Sequence, residues 1–233
     1  MMKPSQCQDC PTRQLCLAAG LDSHALEQLG ECVRPSAPMP RSAFLYRAGD
    51  AAEGCFVVRS GAYKTFAISA SGEEYVTGFY FPGELLGMAG QASGEHRESA
   101  TALMTSTACR VRLEDIPTLW SIGSGESLLR LMGQTERLGA DVHVNLSQSR
   151  ADARVAGFLV TLAKRMRHQG RDAQRLPIPM SRTDLANYLG MTLECLSRVL
   201  ARLTKAKLIS TTRTEIAVHA ASDLEALATH LDA

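Results

Sequence analysis

No apolar run in the 233 residues approaches the roughly 20 needed to cross a bilayer. The opening residues, Met-Met-Lys-Pro-Ser-Gln-Cys, lack the apolar core of a signal peptide. A cytoplasmic protein with no membrane partner is therefore expected. Net charge is nearly absent, at +1. There is no nucleophile–base set, no phosphate-cradling glycine loop and no pair of catalytic carboxylates, and the six histidines are scattered. Those gaps argue against an enzyme. The cysteines, Cys7, Cys10, Cys16, Cys32, Cys55, Cys109 and Cys195, are odd in number. In a reducing compartment they do not suggest a disulfide framework. What remains is an ordinary globular composition, 45% apolar, in a length suited to one or two domains.

Resolved along the chain, the charge is informative. Between residues 164 and 207, ten basic residues face three acidic ones, a net of +7. The other 15 basic and 21 acidic residues leave −6 elsewhere. A basic block in an otherwise acidic chain points to a polyanion-binding module.

The pattern divides the chain into a Cys-rich head over 1–20, a β-rich segment over 21–116, a helix over 117–150 and a C-terminal segment over 151–233, an α+β organisation. A short helix over 21–33 carries Leu21, Leu26, Leu29 and Val33 on one side, with Asp22 or Ser23 as its cap. From 36 to 116, turn signals at Gly49, Gly61, Gly72 and Gly83 recur every 11 or 12 residues between β-rich runs. That interval predicts an antiparallel sandwich, best matched by an eight-stranded jelly roll. Over 117–150, Leu128, Leu131, Met132, Leu138, Val142 and Leu146 form a helical stripe interrupted by Thr135 and Asn145. Such a stripe serves a dimer seam or packs against its own sheet. A further helix over 152–168 buries Val155, Phe158, Leu159, Leu162 and Met166, and Pro177-Ile-Pro179 reads as a linker.

The strongest signal lies between Ser181 and Leu203. Ser181 and Asp184 have capping-box spacing, Gly190 suits a tight turn between helices, and Thr192 caps a second helix. On that helix Leu196, Val199, Leu200 and Leu203 repeat as a core face, while Glu194, Ser197, Arg198, Arg202 and Lys205 lie opposite. A recognition helix needs those two faces. Arg198 can donate two bonds to guanine, Glu194 can accept from cytosine, and Ser197 can contact several bases. Arg202 and Lys205 suit phosphates. Residues 208–211 and 215–218 can pair as the wing of a winged helix-turn-helix.

Iron–sulfur clusters need several thiolates converging from flexible backbone. Cys7-x2-Cys10-x5-Cys16 can supply three. Zinc is as thiolate-loving, and the spacing alone does not separate the two. Cys109, in the run Thr107-Ala-Cys-Arg-Val-Arg-Leu113, shares a strand face with Val111 and Leu113. It reads as a fourth ligand or as a buried core thiol. Cys32, Cys55 and Cys195 read as structural.

Over essentially its whole length the chain resembles the FNR branch of the CRP/FNR transcription regulators. The resemblance rests on the head cysteines, the tract Val76-Thr-Gly-Phe79…Gly83-Glu84, Cys109 and Glu194-x2-Ser197-Arg198. It implies an N-terminal cyclic-nucleotide-binding-like β-roll, a long dimerisation helix and a C-terminal winged helix-turn-helix. It implies a 4Fe–4S cluster on Cys7, Cys10, Cys16 and Cys109, whose loss in oxygen weakens the homodimer and DNA binding. It also implies palindromic double-stranded DNA with TTGAT-like half-sites, and contact of the 76–84 tract with RNA polymerase. The alternative is a regulator sensing a small molecule or nitrogen oxide in the β-roll, with zinc or no metal at the head.

Several residues depart from the family pattern. Glu98-Ser99-Ala100 and Met88 replace the Arg-Ser pair and the Glu that hold a cyclic nucleotide. A carboxylate repels a phosphate, so cyclic AMP is not the expected ligand. Pro11 removes a backbone N–H that could bond a cluster sulfur, which bears on the oxygen reaction. Glu136 and His143 stand at helix positions apolar in relatives, and Gly139 stands where they have an acidic residue; all three bear on the dimer equilibrium.

Overall fold

The structure is a computed structural model that describes residues 7–229. The head expected over 1–20 and the segment expected over 151–233 each lie partly outside the described residues. The chain divides into two compact units, the first ending at Arg137 and the second beginning at Leu138.

In the first unit, helix α1 (Ser23–Cys32) is capped by Asp22, whose carboxylate accepts from Ala25 N at 2.8 Å. Eight strands follow: β1 (Val33–Pro35), β2 (Phe44–Tyr46), β3 (Gly54–Ser60), β4 (Tyr63–Ile68), β5 (Glu74–Tyr80), β6 (Leu85–Leu86), β7 (Ser99–Ala102) and β8 (Thr107–Arg112). They form two four-stranded antiparallel sheets in the orders β1-β8-β3-β6 and β2-β7-β4-β5. This is the expected eight-stranded roll. The four turn glycines all take positive φ.

The first sheet is buried on both faces. One face contributes Val58, Leu86 and Ala108 to a core shared with Tyr46, Tyr63, Ala100 and Ala102 of the second sheet. The other carries Val33, Cys55, Val57, Leu85 and Val111, and is covered by Leu17, Leu21, Leu26, Leu29, Leu119, Leu128 and Leu131. Neighbouring strand residues point to opposite faces, so Val57 and Val58 serve different cores. Cys109 packs against the second of these layers. Leu113 does not share its face: the strand ends at Arg112, and Leu113 opens a 3-10 turn with 45% of its surface exposed.

Where one helix was expected over 117–150 there are two, α2 (Ile116–Ser121) and α3 (Gly125–Ser147). Gly123 takes φ +82° between them, a conformation that breaks a helix and costs a glycine little. The apolar stripe is also divided. Leu128 (4% exposed) and Leu131 (0%) are buried in their own unit, whereas Met132 and Leu146 are exposed and Leu138 and Val142 half-buried. Thr135 interrupts the stripe because its hydroxyl donates to Leu85 O at 3.1 Å. The exposed large apolar residues of α3 are Leu129, Met132, Val144 and Leu146. Helical periodicity identifies an apolar face without saying what covers it, which explains the difference.

The second unit holds α4 (Ala151–His168), β9 (Arg175–Pro177), α5 (Arg182–Tyr188), α6 (Leu193–Lys205), β10 (Ile209–Thr211), β11 (Glu215–Val218) and α7 (Ala221–Thr229). All five predicted apolar residues of α4 are buried. The segment read as a linker starts inside a strand: β9 pairs with β11, and Pro177 lies opposite Glu215. An edge position lets proline into a sheet. Among the described residues, no helix is long and apolar enough to cross a membrane.

Candidate nucleic-acid interface and thiol pocket

Local chemistry sets the helix pair of the second unit. Ser181 Oγ accepts from Asp184 N at 2.9 Å, and Asp184 Oδ2 accepts from Ser181 N at 3.2 Å, completing the capping box of α5. Gly190, at φ +59°, makes the turn. Arg154 of α4 braces it, with Nη1 donating to Leu189 O at 3.2 Å and Gly190 O at 3.0 Å. Sequence reasoning missed this brace; its one trace was an arginine beside the apolar face of α4. Thr192 Oγ1 then accepts from Cys195 N at 3.1 Å and starts α6.

Leu196, Val199, Leu200 and Leu203 are buried, and Glu194, Ser197, Arg198, Arg202 and Lys205 are exposed. The Ser197 hydroxyl donates to Leu193 O at 2.8 Å, so its lone pairs face outward. Arg202 is engaged: its Nη2 lies 2.7 Å from Asp152 Oδ1 of α4. The residue expected on a phosphate thus holds a carboxylate. The wing forms as expected from β10 and β11. Arg182 Nη2 donates to Thr212 O in the turn of the wing, where the neighbouring Arg213 is exposed.

The first unit contains a pocket of roughly 400 Å³, solvent at its mouth included. Cys7, Cys10, Cys16 and Cys109 all line it, with Thr12, Leu17, Ala18, Leu29, Val33, Val57, Val58 and Arg59. Cys109 arrives on β8, in register with Val57 and Pro35. The head brings the other three on a loop containing the 3-10 turn Arg13–Leu15. All four are free half-buried thiols, whereas Cys32 and Cys55 are buried in the core.

Burial pushes the Cys109 thiol up to about 12, with Cys7 adding to the shift and Arg59 opposing it. Burial likewise lifts Cys16 to about 11, while a hydrogen bond from the Ala18 backbone opposes the shift. Cys7 is raised by burial and by Cys10, again against Arg59. Arg59 at Cys7 and Cys109, and Arg130 at Cys16, are therefore cations that favour thiolates here, a role sequence reasoning did not assign. A metal group bound here must displace these protons.

Two side chains around the start of α3 grip the head backbone. Ser124 Oγ donates to Leu17 O at 2.6 Å, and Arg130 Nη2 to Cys16 O at 3.4 Å. Among the described residues, no three Cys, His, Asp or Glu side chains gather closely enough to hold one metal ion. The four thiols ring a pocket rather than meet at a point.

In the Glu98-Ser99-Ala100 stretch, Ser99 Oγ accepts from Ala48 N at 3.0 Å. Glu98 accepts from Thr77. His96 stacks on Tyr46, with ring centroids 3.8 Å apart. Ser99 and Glu98 are thus engaged internally, whereas the Tyr46 hydroxyl is buried without a hydrogen-bond partner among the described residues.

Two family descriptions match the chain, a cyclic nucleotide-binding domain over residues 38–121 and a Crp-like helix-turn-helix domain over residues 153–227. The transcriptional activator protein anr of Pseudomonas aeruginosa is 38% identical over 226 residues, covering 96% of this chain and 93% of that protein. The fumarate and nitrate reduction regulatory protein of Escherichia coli K12 is 33% identical over 230 residues, covering 96% and 90%. Among solved structures, FixK2 from Bradyrhizobium japonicum superposes with a TM-score of 0.74 at 24% identity, over 86% of this chain and 99% of that one. That last likeness is one of fold.

Proposed function

The chain belongs to the FNR branch of the CRP/FNR family of DNA-binding transcription regulators, and on that premise we propose that it responds to oxygen through a 4Fe–4S cluster held by Cys7, Cys10, Cys16 and Cys109. It is a regulator and not an enzyme. The observation that carries the proposal is the pocket, which draws three thiols from the head and a fourth from β8, more than 90 residues away.

The donor set fits such a cluster. Four tetrahedral sulfurs on one zinc ion, at about 2.3 Å each, would crowd to within about 4 Å of one another. A cluster carries one thiolate on each iron, which suits thiols spread around a pocket. Apolar walls from Leu17, Leu29, Val33 and Val57 exclude water, and Arg59 offsets the negative charge. When bound, the cluster supplies an oxygen-labile tie between head and β8.

The protein's own residues carry that tie onward. Ser124 and Arg130 couple the carbonyls of Leu17 and Cys16 to α3. On α3, the exposed Leu129 and Met132 offer a face to a second copy in a homodimer. Two copies of α6 then present Glu194, Ser197 and Arg198 to TTGAT-like half-sites about one DNA turn apart. Lys205, and Arg202 once released from Asp152, take phosphates. The 76–84 tract contacts RNA polymerase, and the protein works in the cytoplasm.

The deciding experiment is iron and acid-labile sulfide content with a visible spectrum, on protein purified without oxygen. About four of each per chain, bleaching in air together with loss of DNA binding, is the expected result. Zinc, or no metal, would overturn the cluster and move the signal into the β-roll.

A further inference from the structure

The head contains a contact that the cluster reading does not use. Cys10 Sγ and Thr12 Oγ1 lie 3.1 Å apart. Thr12 is 7% exposed and lines the thiol pocket. Its hydroxyl does not cap the 3-10 turn that follows, Arg13–Leu15. The backbone around it is fixed, with Leu15 N donating to Thr12 O at 2.9 Å and Arg13 N to Cys10 O at 3.0 Å. The hydroxyl is therefore held against one sulfur.

The neighbouring cysteines explain why this matters. Cys16 has a backbone partner, the Ala18 amide. After Cys10 comes Pro11, which has no N–H to give. With Cys10 as a thiol, either atom of the Cys10–Thr12 pair can be the donor. With Cys10 as a metal-bound thiolate, the sulfur only accepts and Thr12 must donate.

We infer that Thr12 is a positioning residue for the cluster, whose hydroxyl donates a hydrogen bond to Cys10 Sγ in place of the amide that Pro11 lacks. This rests on the cluster reading above. A donor on a ligating sulfur withdraws negative charge and stabilises the more reduced state, which raises the reduction potential. Thr12 thereby makes the cluster harder to oxidise and prolongs its life in air.

The test uses the full chain purified without oxygen as wild type, Thr12→Val and Thr12→Ser, with cluster content, reduction potential and the rate of bleaching in air measured on each. Valine keeps the shape and removes the donor; serine keeps the donor. Thr12→Val is expected to load iron and sulfide yet show a lower potential and a several-fold faster bleaching, while Thr12→Ser stays near wild type. If valine prevents loading but serine does not, and both variants melt as the wild type does, the role also stands. Should valine disturb folding, Thr12→Ala gives the same comparison without the extra branch. A loaded Thr12→Val with wild-type potential and bleaching overturns the role of Thr12 alone, as does a Thr12→Ser that shifts as far as valine. A wild type without iron and sulfide overturns the cluster reading and this inference together.

Discussion

The hydroxyl of Ser124 donates a 2.6 Å hydrogen bond to the carbonyl of Leu17, across 107 residues of sequence and with both residues buried. It ties the head to the residue that precedes α3. Thr12, Cys16 and Leu17 lie within six residues of each other, on the segment that this bond joins to the start of the helix.

Replacing Ser124 with Ala leaves the Leu17 carbonyl buried without its partner. Such a loss costs about 1–3 kcal/mol. Urea unfolding of the metal-free protein should show a destabilisation of that size. In loaded protein, the variant should also weaken the dependence of dimerisation on the cluster. An unchanged unfolding midpoint would mean that water replaces the hydroxyl and that the tie transmits nothing.

Neighbouring residues of α3 are expected to behave oppositely. Leu131 is fully buried, so Leu131→Ala should cost about 2–5 kcal/mol of stability. Leu129 is 54% exposed and Met132 38%. Alanine at either should change stability by only about 0.5 kcal/mol while lowering the dimer fraction in sedimentation of anaerobic protein. A dimer indifferent to both exposed substitutions would remove this face of α3 from the seam.

On DNA, Arg198→Ala should cost about 1–3 kcal/mol on a TTGAT palindrome and relax preference at one base. Lys205→Ala should weaken binding evenly across sequences and reduce the salt slope by about one. Asp152→Asn should do the reverse, since it frees the Arg202 guanidinium it now holds at 2.7 Å. Tighter low-salt binding to random DNA is the expected reading. Titrations of the three variants over a range of salt concentrations would check all of this, and an inert Asp152→Asn would mean that Arg202 reaches no phosphate.

Alkaline pH should destabilise the metal-free protein, and core groups outside the thiol pocket contribute to this alongside Cys16 and Cys109. Burial pushes the Cys55 thiol up to about 11 and the Tyr63 phenol up to about 12. Each neutral form is favoured in the fold, so the stabilisation is complete below the ordinary values, about 9 for the thiol and 10 for the phenol. It is lost as pH rises toward 11 and 12. Urea midpoints should be level to about pH 9 and then fall. Cys55→Val should flatten the first part of that fall; an identical profile in the variant would assign the pH dependence elsewhere.

Much of this protein was settled by sequence alone, because the deciding interactions are local. The Asp22 cap, the Ser181–Asp184 box, the Gly190 turn and the Thr192 cap each involve residues within a few positions of one another. The core face of α6 follows from its 3.6-residue period. The turn glycines of the roll obey the same local rule, since a positive φ costs a glycine little. Tertiary structure decided what lay between distant residues. Cys109 read from its strand pattern as a ligand or as a core thiol, and only the fold shows that β8 sets it beside a loop some 90 residues earlier. Leu128 and Leu131 matched a dimer seam until the first sheet covered them, because an apolar face does not record what buries it. Pro177 read as the start of a linker until β11 supplied the strand 175–177 with hydrogen-bond partners that no nearby residue could. Arg202 looked free for DNA until Asp152, 50 residues upstream, came within reach. In each case the energy lies in a contact whose partner's position only the folded chain determines.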